Sequence, residues 1–72
     1  MDEEQVGEAI LKYLDEHPNA MDTLHGIAEW WIQREQVRAT TETVARALIS
    51  LKKRGRVQEI VKGRTRYYCR KV

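Results

Sequence analysis

Apolar residues recur at helical spacing in the first part of the chain. The first stripe consists of Val6, Ile10 and then Tyr13 or Leu14. Asp2 precedes this stripe, with Gln5 three residues later, which is the arrangement of a capping box at a helix start. Pro18 ends the pattern because the residue before a proline disfavours helical angles. These features predict a first helix over about residues 3–16.

Two further stripes of the same kind follow. They contain Leu24, Ile27, Ala28 and Trp31, and then Val44, Ala47, Leu48 and Leu51. The candidate caps are Asp22 or Thr23 for the second helix and Thr40 or Thr41 for the third. Gly55 lies just after the third stripe, where glycine commonly ends a helix because it accepts a left-handed backbone. We therefore predict helices over about residues 23–34 and 41–54.

The last part of the chain changes to residues that favour strands. Val57, Ile60 and Val61 precede Lys62-Gly63, and Thr65, Tyr67 and Tyr68 follow it. This pattern predicts a β-hairpin over about residues 56–71 that packs on the helices. A two-residue turn at Lys62-Gly63 would pair Val61 with Arg64, Glu59 with Arg66 and Val57 with Tyr68. The middle pair joins opposite charges across the two strands.

Three helices followed by one hairpin is the order of elements in a winged helix-turn-helix. A chain of 72 residues provides one domain at most and buries only about 60% of its unfolded surface. We therefore expect residues 1–72 to form a single α+β domain of this class, with the C-terminal hairpin as the wing. The sequence contains no repeat, linker or low-complexity segment.

Several classes of protein are excluded by composition. No apolar run approaches the roughly 20 residues of a spanning helix, and the acidic N-terminus is unlike a basic signal peptide. We expect a cytoplasmic protein without membrane contact. Cys69 lies far from His17 and His25 and shares no metal-ligand spacing with them. Because no glycine-rich phosphate loop or paired carboxylate site is visible, the sequence predicts no enzyme, metal, cofactor or small-molecule ligand.

Charge divides the chain into two halves. The formal net charge is +2, yet residues 1–32 hold eight acidic residues against one basic residue, and residues 33–72 hold twelve basic against three acidic. Such asymmetry favours a polyanion-binding face in the second half. The alternative is that the acidic first helix packs beside the basic half and neutralises it within the fold.

One segment carries a family resemblance. Thr40-Thr41-Glu42-Thr43-Val44-Ala45-Arg46-Ala47-Leu48 resembles the recognition helix of the catabolite-activator family of winged-helix regulators, which runs Ser-Arg-Glu-Thr-Val-Gly-Arg-x-Leu. The resemblance implies that Glu42 and Arg46 contact bases, whereas Thr41 stands where the family has its first Arg. The cyclic-nucleotide domain of that family has no counterpart in this chain. The resemblance therefore implies a DNA-binding module without control by that ligand.

The outward side of the third helix is the candidate reading face. Arginine can donate two hydrogen bonds to guanine, glutamate can accept from cytosine, and apolar side chains can touch thymine methyl groups. Threonines at a helix start can bind phosphates beside free backbone N–H groups. The candidate residues are Thr40, Thr41, Glu42, Ala45, Arg46, Ile49 and Lys53. Structural roles are the alternatives: a cap for the threonines, an i,i+4 ion pair for Glu42 with Arg46, and helix-dipole compensation for the lysine.

Further candidates lie outside that helix. The hairpin contributes Lys62, Arg64 and Arg66. A basic wing can reach phosphates or the minor groove, and edge-strand protection is the alternative role for these charges. Arg38 belongs to the connection before the third helix, where phosphates commonly lie in helix-turn-helix docking. Trp31 fits the core stripe, so its neighbour Trp30 is a candidate for a protein interface.

The sequence thus predicts a protein that binds double-stranded DNA, with the third helix in the major groove and the basic wing on phosphates, in transcriptional regulation. The alternative is a winged-helix module that binds a protein partner or forms a homodimer without binding DNA, since a fold alone does not determine function.

Overall fold

The computed structural model describes residues 2–72, which form an α+β domain with three helices and a three-stranded antiparallel sheet. Helix α1 is Glu3–Glu16, strand β1 is Met21–Asp22, helix α3 is Thr41–Lys53, strand β2 is Val57–Lys62 and strand β3 is Thr65–Arg70. Helix α2 covers residues 24–34 and has three parts: α-helical turns at Leu24–Gly26 and Ile32–Arg34 flank a π-helical turn at Ile27–Trp31. The predicted α+β class and the three helices are confirmed.

The start of α1 has the predicted capping box. The Gln5 N–H donates to Asp2 Oδ1 at 2.8 Å, and the Asp2 N–H donates to Gln5 Oε1 at 3.3 Å. Both bonds satisfy backbone or side-chain groups that the helix itself leaves open at its first turn. The buried face of α1 consists of Val6, Gly7, Ala9, Ile10 and Leu14.

Helix α2 contains a π-helical turn. The Ile32 N–H donates to the carbonyl of Ile27, five residues earlier, so this turn holds one more residue than an α-helical turn. Trp31 and Ile32 are both buried in the core with Ile27. The predicted stripe included Trp31 but omitted Ile32, although Ile32 lies four residues after Ala28 and eight after Leu24, which is also α-helical spacing.

Helix α3 ends at the predicted glycine. Gly55 has a φ of +71°, its N–H donates to the Lys52 carbonyl at 3.1 Å, and the Arg56 N–H donates to the Leu51 carbonyl at 2.9 Å. This pair of hydrogen bonds is the Schellman motif, which satisfies carbonyls at the helix end.

Helix α2 ends with the same motif at a residue that is not glycine. Gln36 has a φ of +61°, and its N–H donates to the Gln33 carbonyl at 2.9 Å. The Val37 N–H donates to the Ile32 carbonyl, also at 2.9 Å. A residue with a Cβ is strained in this left-handed region, so Gln36 costs stability that a glycine there would not.

The sheet has the strand order β1-β3-β2, with β3 in the middle. Strand β1, which the sequence analysis did not predict, pairs Met21 with Cys69 and Asp22 with Tyr68. Its two residues give too short a local pattern to indicate a strand, because their extended conformation depends on pairing with a distant segment. The predicted hairpin is thus part of a larger sheet.

The predicted hairpin register is wrong by two residues. The observed pairs are Val57 with Arg70, Gln58 with Cys69, Glu59 with Tyr68, Ile60 with Tyr67, Val61 with Arg66, and Lys62 with Thr65. The turn residues are therefore Gly63 and Arg64, instead of Lys62 and Gly63. Gly63 has a φ of +62° and occupies the first turn position, as a type II′ turn requires. A shift of two residues leaves every side chain on its expected face of the sheet.

The core lies between the helices and the end of the hairpin that is opposite its turn. The rings of Tyr13 and Trp31 stack at a centroid distance of 4.7 Å with an interplanar angle of 15°. Val57 is buried and Tyr68 packs against the core, so the hairpin is attached to the helices through both residues. No helix within residues 2–72 combines the length and the apolar character needed to cross a bilayer.

Candidate nucleic-acid interface

Thr40 is the residue that caps α3. Its Oγ1 accepts from the Thr43 N–H at 3.2 Å and lies 3.0 Å from Thr43 Oγ1. Of the two threonines proposed as caps, this one therefore has its hydroxyl engaged within the helix. Thr41 is the first residue of the helix and is exposed, which leaves its hydroxyl available to an external group.

The buried stripe of α3 directs a second face outward. Val44, Ala47, Leu48 and Leu51 are buried, and this fixes the helix rotation. The exposed residues along the helix are Thr41, Glu42, Arg46, Ile49, Lys52 and Lys53. Ala45 lies on the same side and is half-buried. The structure therefore brings together on one side of α3 all the candidate residues predicted within this helix.

Two of those candidates form an ion pair with each other. Arg46 Nη2 lies 2.7 Å from Glu42 Oε1, and both side chains are exposed. An exposed i,i+4 pair contributes only about 0.3–0.5 kcal/mol to stability. The guanidinium has five N–H donors in a planar fork, so donors of Arg46 remain available besides the one that Glu42 accepts.

The hairpin lies beside the exposed face of α3 and encloses a groove with it. This α3–hairpin groove has a volume of about 600 Å³. It is lined by Leu24, Ala45, Leu48, Ile49, Lys52, Lys53, Glu59, Arg66 and Tyr68. Its floor is largely apolar, and the charged side chains come from the C-terminal half of α3 and from the two strands.

Glu59 holds two of the cations in this groove. Its Oε2 lies 3.6 Å from Lys52 Nζ and 3.4 Å from Arg66 Nε. The Glu59 side chain is 22% exposed, so the pairs are less screened by solvent than those on the open surface. Arg66, predicted as a phosphate contact, therefore shares one carboxylate with Lys52, and the three side chains together keep one net positive charge. Sequence reasoning identified the charge pair of Glu59 and Arg66 but missed Lys52 as a third member, because that contact joins separate elements.

The tip of the hairpin carries the two other candidates predicted in the hairpin. Lys62 and Arg64 are exposed and form no ion pair within residues 2–72. Arg64 occupies the second turn position, and Lys62 closes the turn by pairing with Thr65. Since side chains alternate between the faces of a strand, Lys62 belongs to the face opposite that of Val61 and its partner Arg66.

Arg38 lies apart from these residues. It is exposed in the connection between α2 and α3 and lines a shallow groove of about 330 Å³ with Gln33, Gln36 and Val37. It does not line the α3–hairpin groove, so the structure does not join it to the other candidates.

The first turn of the acidic helix α1 lies beside the C-terminal end of α3. Glu3 and Glu4 line a groove of about 250 Å³ together with Ser50 and Arg54. Glu3 and Glu4 therefore share a groove with Arg54, while Lys62 and Arg64 lie on the hairpin tip.

A group of titratable side chains lies where α1 and α2 end. Lys12 Nζ is 3.3 Å from Glu35 Oε1. A hydrogen bond between the Glu16 and Glu35 carboxyl groups raises the pKa of Glu16 and lowers the pKa of Glu35. These residues do not line the α3–hairpin groove. No group of three or more potential metal ligands occurs within residues 2–72.

Trp30 is the exposed one of the two tryptophans in α2. Its side chain is 64% exposed, while the adjacent Trp31 is 3% exposed, as the helical stripe predicted. Near it on the same helix, His25 Nε2 lies 3.0 Å from Glu29 Oε1. A large aromatic surface in contact with water is a feature of protein interfaces.

A scan against protein-family models matched no family, and searches of curated proteins and of solved structures returned no match.

Proposed function

We propose that this protein binds double-stranded DNA as a winged helix-turn-helix domain, with α3 in the major groove and the hairpin as the wing. The element order α1-β1-α2-α3-β2-β3 and the sheet order β1-β3-β2 are compatible with that layout. The wing would then be the β2–β3 hairpin, attached to the helices by Val57 and Tyr68.

One observation carries this proposal: the exposed face of α3 and the hairpin border the same groove. A duplex that receives α3 in its major groove presents phosphates along both edges of the major groove. Lys62 and Arg64 on the hairpin tip and Lys53 at the end of α3 are exposed cations, and we propose that they meet these phosphates. Phosphate contacts of this kind supply most of the affinity of a DNA-binding protein.

The first half of α3 would recognise the DNA sequence. Arg46 can donate to guanine O6 and N7 with the donors that Glu42 does not occupy, and Glu42 can accept from a neighbouring cytosine amino group. Thr41 can bind a phosphate next to the open N–H groups at the helix start. We further propose that this binding serves transcriptional regulation, the role of the family that the segment 40–48 resembles, and we propose no catalytic activity.

The test is the fluorescence anisotropy of labelled mixed-sequence duplexes at several salt concentrations. If about five phosphates are neutralised, log K falls with log salt at a slope of about −4 to −5. Circular dichroism on the same sample establishes that the protein is folded. Folded protein that binds no duplex at low salt contradicts the proposal.

A matched pair of lysine variants locates the contact. Lys62→Ala removes a cation at the hairpin tip, and Lys71→Ala removes one beyond the far end of β3, where the Lys71 N–H donates to the Arg56 carbonyl. We expect Lys62→Ala to weaken all duplexes and to reduce the salt slope by about 1, and Lys71→Ala to change it little. Equal effects of the two variants would count against the wing assignment.

The exposed indole of Trp30 favours a second candidate function, a module that binds a protein partner or a second copy of the chain. In that case Trp30→Ala abolishes the association, measured by sedimentation equilibrium for the homodimer, and DNA binding is absent. If Trp30→Ala binds DNA normally and the wild-type protein is monomeric, the second candidate function is rejected and the first proposal stands.

A further inference from the structure

The middle of the exposed face of α3 is apolar. Ile49 is 55% exposed, and Ala45 precedes it by one helical turn. Thr41 and Glu42 lie on one side of this apolar part, and Lys52 and Lys53 lie on the other. An exposed isoleucine contributes little to the stability of the fold, because an apolar side chain stabilises a protein mainly when it is buried.

The α3–hairpin groove continues this apolar surface inward. Leu24, Leu48 and Tyr68 line the same groove as Ala45 and Ile49. The cations around it are Lys52, Lys53 and Arg66, against the single carboxylate of Glu59. A partner that suits this surface therefore has small apolar groups next to negative charges.

We propose that Ile49 and Ala45 recognise the C5-methyl group of a pyrimidine in the major groove, which gives the protein a preference for DNA sites with that methyl group. This inference depends on the proposed DNA binding. The C5-methyl group of thymine is the apolar feature that base edges present in the major groove, and 5-methylcytosine carries a methyl group on the same carbon. The phosphates that flank it meet the cationic rim of the groove.

The position along the helix also favours this reading. Arg46 follows Ala45 directly and is held at 2.7 Å by Glu42, so a polar reader and an apolar reader are adjacent. Ile49 lies about one turn further on. The preferred site then combines a guanine for Arg46 with a neighbouring methylated pyrimidine for Ile49 and Ala45.

Uracil provides the test because it differs from thymine only by the absence of the methyl group. Selection from random duplexes first gives the preferred site, and each thymine of that site is then replaced singly by uracil. One of these replacements is expected to weaken wild-type binding about fourfold, the value for burial of one methyl-sized group. The Ile49→Ala protein is expected to bind the thymine and uracil duplexes equally. The control Met21→Ala, which truncates an exposed apolar residue outside α3, keeps the wild-type difference.

A second arm separates the two sources of the methyl group. At the sensitive position, the T·A pair is replaced by C·G and by 5-methyl-C·G. Recovery of affinity with 5-methyl-C·G assigns the readout to both bases, and binding equal to that of C·G assigns it to thymine.

Two results overturn the inference while the proposed function stands: wild-type protein that binds DNA but is insensitive to every uracil replacement, or an Ile49→Ala protein that keeps the full sensitivity. Wild-type protein that binds no duplex overturns both.

Discussion

Arg66 on β3 and Glu59 on β2 are diagonal neighbours on one face of the hairpin, and Glu59 Oε2 lies 3.4 Å from Arg66 Nε. Glu59 directly opposes Tyr68 in the ladder, so the ion pair spans the diagonal instead of the direct pairing. The same carboxylate also reaches Lys52 of α3. Glu59 thereby links the wing to the proposed reading helix and offsets one of the two positive charges beside it.

Glu59→Gln is expected to strengthen DNA binding. The substitution keeps the shape of the side chain and releases Lys52 and Arg66, so the salt slope should steepen by about 1–2 in magnitude. Because the pairs are partly exposed, the free energy of unfolding should fall by only about 1 kcal/mol or less. Anisotropy titrations and urea unfolding measure the two effects. Glu8→Gln makes the same charge change on α1 and is the control, so an equal gain with Glu8→Gln would mean that overall charge, and not the groove, is responsible.

Arg46→Ala and Lys62→Ala are expected to differ in kind. Loss of a bidentate guanine contact should reduce discrimination at one base pair by about 1–3 kcal/mol, whereas loss of a phosphate contact weakens every duplex alike. Competition with single-base variants of the selected site separates these patterns. The assignment of Arg46 as a base reader fails if its alanine variant loses affinity uniformly across those sites.

Gln36→Gly is expected to stabilise the fold. A residue with a Cβ in the left-handed region costs about 1–2 kcal/mol, and the greater freedom of glycine in the unfolded chain offsets part of this. A net gain of about 0.5–1 kcal/mol corresponds to a Tm increase of roughly 2–8 °C for a domain of this size. Gly55→Ala, at a φ of +71°, is the reverse change and should lower the Tm. Thermal unfolding that gives the same sign for both variants contradicts this view of the two helix ends.

Glu16 and Glu35 should give the stability a pH dependence on both sides of their ordinary pKa of 4.5. The hydrogen bond from Glu35 raises the pKa of Glu16, so its contribution is present below the ordinary value and is lost as pH rises through the raised pKa. The pKa of Glu35 is lowered by the same bond, so its contribution is present above the ordinary value and is lost as pH falls through the lowered pKa.

Glu16→Gln supplies a hydrogen-bond donor to Glu35 at every pH. This variant should therefore keep its stability as the pH rises above 4.5, where the wild type loses part of its own. Urea unfolding across that range is the measurement. Glu16→Ala removes the hydrogen bond altogether and should lack the wild-type stability near pH 4.5. A wild-type profile identical to that of Glu16→Gln would show that the two carboxyl groups do not share a proton.

The features that the sequence predicted well are local ones. Asp2 and Gln5 cap α1 within one turn, and Gly55 ends α3 where its left-handed φ is needed. The features it missed depend on contacts between distant segments. Strand β1 exists because Met21 pairs with Cys69, and Lys52 reaches Glu59 only after the hairpin has packed beside α3. The hairpin itself was predicted, but its turn was placed at Lys62-Gly63, whereas the positive φ of Gly63 suits the first position of a turn at Gly63 and Arg64.

The π-helical turn at Ile27–Trp31 affects how relatives of this protein should be compared with it. The turn holds one extra residue but lengthens the helix by less than the usual rise per residue. A chain that lacks one residue here can therefore keep the same ends of α2 and the same position of α3. Alignments of α2 should therefore permit a single-residue gap between the Leu24–Gly26 and Ile32–Arg34 turns. An ungapped alignment would match Trp30 with a core position and misassign the surface that this protein presents to others.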